Sequence, residues 1–381
     1  MVLDRILDFF TSLRLTVVCL GLALILVFIG TLAQVDLGLY KAQNEFFRAF
    51  FIYWSPPGSA LKIPVFPGGY LVGSVLLINL IAAHIQRFTF SWKKSGILMA
   101  HAGLILLLLG QLLTDSFSSE SAMHLRVGET LNYSEEDRHA ELAVVDVTDS
   151  DADKVVAVPD SLLSRGRMIS HAELPFSIGV ERYYANSSLT NASGESFQQS
   201  PATQGGGAGL WMREDPRVTS TDYRDLPSAV VELVTPQASL GKWLVSEYLG
   251  AQTVTVGNRT YQISLRPRRH YKPFRLQLLK FNHAIYKGTD IPKDFSSVVR
   301  LERPDTGEAR EVRIFMNNPL RYDGETFYQQ SFDKDDGGSV LEVVHNPSWL
   351  TPYISCALVG AGLAVQFLMH LVSFAKRRVA T

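Results

Sequence analysis

The sequence predicts a membrane protein with four transmembrane α-helices, three near its start and one near its end. Between the third and fourth lies a large extracytoplasmic, mainly-β domain of sandwich- or barrel-like type. Three observations carry this fold class. Four apolar runs approach the roughly 20 residues that a helix needs to cross hydrocarbon, and the 381-residue chain has no comparable run between Thr114 and Leu350. Basic residues cluster beside those runs, while Asp115 to Leu350 is acidic on balance. That long segment alternates apolar and polar residues at the period of a strand.

The first span is predicted at about residues 15–33, the second at 70–86, the third at 96–113 and the last from Pro352 to Phe374. Arg5 and Arg14 precede the first, Arg87, Lys93 and Lys94 sit between the second and third, and Lys376, Arg377 and Arg378 follow the fourth. Basic loops stay on the cytoplasmic side. Both termini and the 87–95 loop are therefore expected in the cytoplasm of an inner-membrane protein, and residues 34–69 and 114–350 on the outer face. The first run is expected to be retained rather than cleaved as a signal peptide. It is long for such a region and lacks an Ala-x-Ala site.

The organisation expected is an N-terminal membrane region over 1–114, an outer domain over 115–350, and a last span with a basic tail over 351–381. Within the first, residues 40–54 place Phe46, Phe47, Phe50 and Phe51 at helical spacing. This predicts an amphipathic outer helix that lies on the membrane surface or packs on the outer domain. The prolines and glycines of SPPGSALKIPVFPGG then break it. In the outer domain, ELAVVDVT, SAVVELVT, QTVTVGNRTYQISL and SSVVRLE read as strands, with RPDTGEA as a hairpin connection. Residues 186–209, polar and glycine-rich, are expected to form a mobile insertion.

The chain has no GxGxxG, no P-loop and no CxxC, which excludes a nucleotide-driven pump and gives no basis for thiol-disulfide chemistry or a zinc ribbon. Cys19 and Cys356 fall within the first and last spans. Ionisable residues inside a membrane are costly and mark function by default. His101 lies five residues into the third span, about 7.5 Å at the helical rise. His84 near the end of the second span and His370 near the end of the fourth fall at a similar, cytoplasm-proximal depth. Three imidazoles at one level form a candidate site for haem iron. Against this, His84 and His370 lie close enough to the interface to reach water or phosphate. His124 and His345 flank the outer domain, and His139, His171, His270 and His283 have no metal-site spacing. The basic stretch RPRRHYKPFRLQLLK (266–280) suits an anionic partner or a charged strand edge.

The opening SLRLTVVCLGLALILVFIGTLAQ, the following GLYKAQNEFF, the span HAGLILLLLGQLL and the closing block NPLRYDGETFYQQSFDKDDGGSVLEVVHNPSWLTPYISCALVGAGL together resemble the ResB family of System II cytochrome c biogenesis. The resemblance runs from the first span to the last and is weakest over the predicted insertion. It implies one half of an assembly whose other half is a polytopic CcsA/ResC-type protein with a Trp-rich haem-binding loop, absent here. The pair would handle haem b, export it and support its attachment to the CxxCH of apocytochrome c. This chain would be at most one subunit of a cytochrome c haem lyase (synthase) complex, with thiol reduction left to a separate protein and no nucleic acid involved. The resemblance matches the family's transmembrane haem-ligand histidine to His101 first and His84 second. Two other classes remain: a non-catalytic membrane scaffold whose β-domain binds a partner protein, and a transporter of another small molecule.

Overall fold

The computed structural model describes residues 2–56, 59, 61–87, 91–149, 153–219, 223–288 and 292–379. Its α-helices are α1 (Val2–Phe10), α2 (Leu13–Leu37), α3 (Leu39–Ala42), α4 (Gly69–Arg87), α5 (Ser95–Phe117), α6 (Asp160–Leu163) and α7 (Thr351–Val379). Two compact units divide the chain: a helical one from Met1–Ser118 with Asn346–Thr381, and a β-rich one from Ser119–Val218 with Asp222–His345.

In the helical unit, Leu13–Leu37, Gly69–Gln86, Trp92–Phe117 and Thr351–Arg378 are long and apolar enough to cross a membrane, with mean hydropathy from 1.5 to 2.7. Each contains one of the runs read from the sequence. The chain breaks between α1 and α2 at Thr11–Ser12, where Ser12 caps α2 by accepting from the Arg14 amide at 3.2 Å. The break takes Phe10 O out of the regular helical ladder. Asn79 of α4, 2% exposed, donates to Phe10 O at 2.7 Å and to Ser12 O, which also accepts from the Thr16 amide, at 3.1 Å. It also accepts from Thr16 Oγ1 at 2.6 Å. All of its amide chemistry is thereby spent on joining α4 to α1 and α2.

Helices α5 and α7 pack antiparallel through glycines. A Cβ added at Gly96 would meet Gly362 O at 2.6 Å, one at Gly103 would meet Val359 Cγ2 at 2.7 Å, and one at Gly110 would meet Thr351 Cγ2 at 2.4 Å. Spaced by seven, two helical turns, the three glycines stay on one face. Missing side chains let the backbones approach where lipid gives no hydrophobic push between helices.

The predicted helix over 40–54 is helical only as far as Phe47, where a π-turn (Gln43–Phe47) ends it. Phe51–Trp54 is instead a strand, β1, paired with β2 (Ile63–Pro67). Phe-Ile-Tyr-Trp has strong strand preference, and a partner strand supplies hydrogen bonds that the periodicity of four phenylalanines does not reveal. At the hairpin's base, a Cβ on Gly68 would lie 2.1 Å from Ala49 O and one on Gly69 2.3 Å from Phe47 O, so only glycine fits there.

The β-unit contains, in order, β3 (Ser119–Arg126), β4 (Thr130–Asp146), β5 (Lys154–Pro159), β6 (Met168–Ile169), β7 (Ser177–Tyr184), β8 (Ser187–Thr190), β9 (Gln198–Gln199) and β10 (Trp211–Glu214). There follow β11 (Ser228–Val234), β12 (Ser239–Ser246), β13 (Gln252–Val256), β14 (Arg259–Ile285) and β15 (Pro292–Arg303). The last four are β16 (Glu308–Phe315), β17 (Leu320–Tyr322), β18 (Glu325–Phe332) and β19 (Gly338–His345).

Both parts of the sandwich-or-barrel expectation are present, because β4 and β14 are long enough to serve two lobes. In one lobe, β5, β4, β14 and β13 face the sheet β12-β11-β7-β6 across a core that includes Ile178, Val231, Leu233, Val245, Tyr261 and Ile263. In the other, the order β16-β15-β14-β4-β3-β19-β18-β17 curls toward closure around Met123, Leu125, Phe274, Leu276, Phe327 and Leu341. Its ends meet where Tyr322 Oη donates to Glu308 Oε2 at 2.7 Å. Between the lobes the β4–β14 register slips twice, between Pro267 and Arg269 and between Tyr271 and Leu276. Pro267 has no N–H to give a ladder, and such bulges are where a strand tolerates it.

The basic stretch 266–280 lies on β14 opposite an acidic stretch of β4. Arg266 meets Glu141 at 2.9 Å, Arg269 meets Glu135 at 2.8 Å, and Arg268 reaches Glu136 at 3.7 Å and Asp160 at 3.6 Å. Lys272, with a side chain 3% exposed, pairs with Glu325 at 2.7 Å. Arg266, Arg268, Arg269 and Lys272 are thus paired within the same unit, on a strand that lies inside the sheet between β15 and β4 rather than at the expected charged edge.

Residues 186–209, the expected insertion, are largely exposed but are tied to the domain at several points. β8, β10 and β9 form a small sheet, and Ser187, Ser228 and Ser246 link in a buried hydroxyl chain at 2.6 and 2.8 Å. A Cβ at Gly207 would lie 2.4 Å from Leu244 Cβ, and Gly205, at φ +71°, sits against Trp243. The glycines that suggested a linker serve close approach to β12.

Two predictions follow from this packing. Gly103→Val should lower the melting temperature in detergent by the equivalent of about 1–3 kcal/mol of overpacking, while Gly73→Ala, with nothing within 4 Å of its added Cβ, should leave it unchanged; equal shifts would refute the glycine contact. The second concerns Glu247, whose carboxyl is pushed up to about 7, chiefly by burial and further by Glu135 and Asp137, against the opposing pull of Arg224. Its pKa is raised in the folded state, so its contribution is complete below the ordinary value of 4.5 and is lost as pH rises to about 7. Thermal melts between pH 4.5 and 8 should show this decline in the wild type and a flatter profile in Glu247→Gln.

Candidate functional site

α4 and α5 are antiparallel neighbours joined through the 88–94 segment, so residues equally far from that connection lie at similar levels. His84 is three residues before the end of α4 and His101 six after the start of α5. The structure brings their rings into edge-to-face contact, with centroids 4.9 Å apart and planes at 89°. Both side chains are half-buried. His101 stands about 200° around α5 from Gly103 at 100° per residue, so the glycine face meets α7 while the imidazole meets α4.

His84 Nδ1 donates to Leu80 O, four residues back, at 3.0 Å. A carbonyl only accepts, so in this contact Nδ1 carries a proton. Imidazole ligands of metals are commonly held in this way by a backbone carbonyl. No described residue makes a hydrogen bond to His101; its recorded partner is the ring of His84. Asn79, on the same helix as His84, has its amide groups engaged by three protein partners, whereas His101 has only the imidazole beside it.

His370 is not part of this contact. It lies on an exposed face of α7 and accepts from Gln366 Nε2 at 2.8 Å, one turn earlier. In the β-unit, His124 pairs with Asp333 at 2.8 Å, His139 with Asp160 at 3.3 Å, His270 with Glu136 at 2.5 Å and His283 with Asp336 at 2.9 Å. His171 Nδ1 accepts from the Glu173 amide at 3.3 Å. Among the described residues no three His, Cys, Asp or Glu side chains form a group able to hold a metal ion.

The His84–His101 pair constrains what it can ligate. Two nitrogens trans across one metal stand about 4 Å apart, twice a metal–nitrogen bond of ~2 Å, with both rings pointing at the ion. Rings in edge-to-face contact at 4.9 Å leave no slot for a macrocycle between them. The pair as placed could present at most one imidazole to such a group, the other ring lying against it, and is not a bis-histidine clamp.

Sequence reasoning missed a second polar knot in the helical unit. Asp115, near the end of α5, accepts from Tyr70 Oη and pairs with Arg48 Nε at 2.9 Å, tying α4, α5 and the segment after the π-turn. One signal was available: a carboxylate two residues past a run of 18 apolar-rich positions needs a cation, and the preceding outer segment offers only Lys41, Arg48 and Lys62.

Residues 237–340 match the model of the ResB-like family, a stretch from just before β12 into β19. Over 115 residues, 30% of this chain, it is 33% identical to Protein NrfI of Wolinella succinogenes. The aligned part spans only 13% of that relative's length. The matched stretch contains β14, one of the two strands that both lobes share, and most of the second lobe, and these partial matches support a ResB-like assignment.

Proposed function

We propose that this chain is the ResB-type membrane subunit of a System II cytochrome c biogenesis machinery, working with a CcsA/ResC-type polytopic partner and acting on haem b as cargo. The observation that carries it is the contact of His84 with His101 at 4.9 Å between two helices apolar enough to cross a membrane. An imidazole in hydrocarbon is costly, and a pair of them, one held through Nδ1 by Leu80 O, repays that cost as a site for iron.

In this reading the basic residues beside the helices set the orientation, with both termini inside and the β-unit outside. The imidazole pair then lies toward the cytoplasmic end, where haem enters. His101 supplies the axial ligand and His84, in ring contact, fixes its direction. His370, bonded to Gln366, is the weaker candidate. Thioether formation needs reduced haem, two thiols of apocytochrome c and register between them, so positioning carries most of the catalysis. The chain contributes a holding site and an outer β-domain that receives the apoprotein, while a separate protein keeps the thiols reduced.

The test is the absorption spectrum of the chain co-purified with its polytopic partner. His101→Ala should lose or shift the Soret band and recover it with added imidazole. His84→Ala should keep the band but lower haem retention by about 10–100-fold, the usual effect of removing a group that orients a ligand. A spectrum unchanged in both variants would remove the pair from haem binding. Colourless wild-type protein would favour the scaffold reading, in which the β-domain recruits a partner without cargo.

A further inference from the structure

The hairpin β1–β2 of the helical unit shows apolar side chains on both of its faces. Cross-strand partners share a face, so Phe51 with Pro67 and Tyr53 with Pro64 lie on one side, and Ile52 with Phe66 and Trp54 with Ile63 on the other. Tyr53, Trp54 and the bulge residue Val65 are each more than half exposed. Between Phe50 and Pro67 the only charged residue is Lys62. A two-stranded hairpin is marginal in water, and a contiguous exposed apolar surface marks an interaction.

The base of the hairpin is fixed to the start of α4. Gly68 N donates to Phe50 O at 2.9 Å, and the amide of Tyr70, in the first turn of α4, donates to Ala49 O at 3.2 Å. The rings of Phe50 and Tyr70 meet at 5.7 Å between centroids. Gly68 alone separates β2 from α4, a helix apolar enough to cross a membrane. The hairpin is therefore held at the level where that helix would leave hydrocarbon.

Three features decide what covers it. A protein docked on one face would leave the other in water, whereas a lipid interface covers both at once. Tyr53 and Trp54 each join an apolar body to a polar tip, the side chains of a membrane–water boundary. The outer edges of a two-stranded hairpin carry unpaired backbone groups, which hydrocarbon cannot satisfy and hydrated headgroups can. Pro64 and Pro67, two of the five residues of β2, lessen that demand because proline has no N–H.

We propose that β1–β2 is a membrane-interface anchor, lying among phospholipid headgroups at the outer end of α4, with its aromatic rings against the acyl chains and Lys62 beside the phosphates. Its partner is the bilayer itself. The inference rests on the membrane orientation given under the proposed function, but its surface is separate from the imidazole pair, so haem binding and this anchor can fail independently.

The experiment uses the full chain, labelled with fluorotryptophan, in nanodiscs of phosphatidylcholine and phosphatidylglycerol. Fluorine NMR spectra are compared with a nitroxide on the lipid acyl chain near the headgroup and with a water-soluble gadolinium chelate. Trp54→Phe assigns the Trp54 resonance. Trp92→Phe and Trp349→Phe assign those of residues just before α5 and α7. Trp54 should lose most of its intensity to the lipid nitroxide and little to the chelate. If Trp92 and Trp349 respond to the nitroxide while Trp54 responds only to the chelate, the hairpin stands in water and the proposal is overturned. A Trp54 resonance untouched by both agents means that protein covers the hairpin, which overturns it equally. Were none of the three to respond to the nitroxide, the membrane orientation would fall and the anchor with it.

Discussion

A β-rich unit inserted into a helical one can exist only if the chain leaves and returns at neighbouring places. In the helical unit this constraint is met by α5 and α7, whose glycines at 96, 103 and 110 meet Gly362, Val359 and Thr351 so closely that a methyl group would clash. In the β-unit the same two passages of chain are β3 and β19, paired antiparallel from Ser119 opposite His345 to Arg126 opposite Gly338. Each unit therefore satisfies the constraint with its own chemistry: backbone contact between helices where water is not needed, and ladder hydrogen bonds between strands. Because the glycines occupy one face of α5, the opposite face is available to α4, where His101 finds His84.

Polar groups in the helical unit fall into two kinds. Asn79, Thr16, Tyr70, Arg48 and Asp115 spend their hydrogen bonds on other parts of the protein, closing a helix break at one place and tying helix ends at another. The imidazoles differ. His84 uses one nitrogen on its own helix, and His101 has ring contact in place of a protein hydrogen bond. Structural polar groups in a bilayer are chosen because they can be saturated. The two imidazoles are instead held chiefly by each other's rings, and it is on this difference that the proposed site rests.

Much of this was legible in the sequence, and the failures have common causes. Hydropathy located the four long helices because apolar length is a direct physical requirement, and depth counting put His84, His101 and His370 at a similar level because the helical rise is fixed. Such counting gives level but not facing direction, and on α7 His370 bonds Gln366 one turn earlier. Composition likewise leaves long-range contacts unseen. Phe46, Phe47, Phe50 and Phe51 fit a helical period, but a strand at Ile63–Pro67 supplied a stronger partner. Residues 186–209 had the glycine content of a linker, yet Gly205 and Gly207 are small because Trp243 and Leu244 lie against them. In both cases the deciding contact came from residues distant in sequence, which local pattern does not contain.

The basic stretch on β14 shows how far register changes a functional argument. Read alone, RPRRHYKPFR invites an anionic ligand. Set against β4, its cations meet Glu135, Glu136 and Glu141 at strand positions fixed by the hydrophobic pattern of both lobes. A free anion would have to displace carboxylates that are already held, and Glu141, with a side chain 6% exposed, would be left as a buried charge without its partner. Recognition by the β-unit is therefore more economical through features the ladder leaves over than through the charges it consumes.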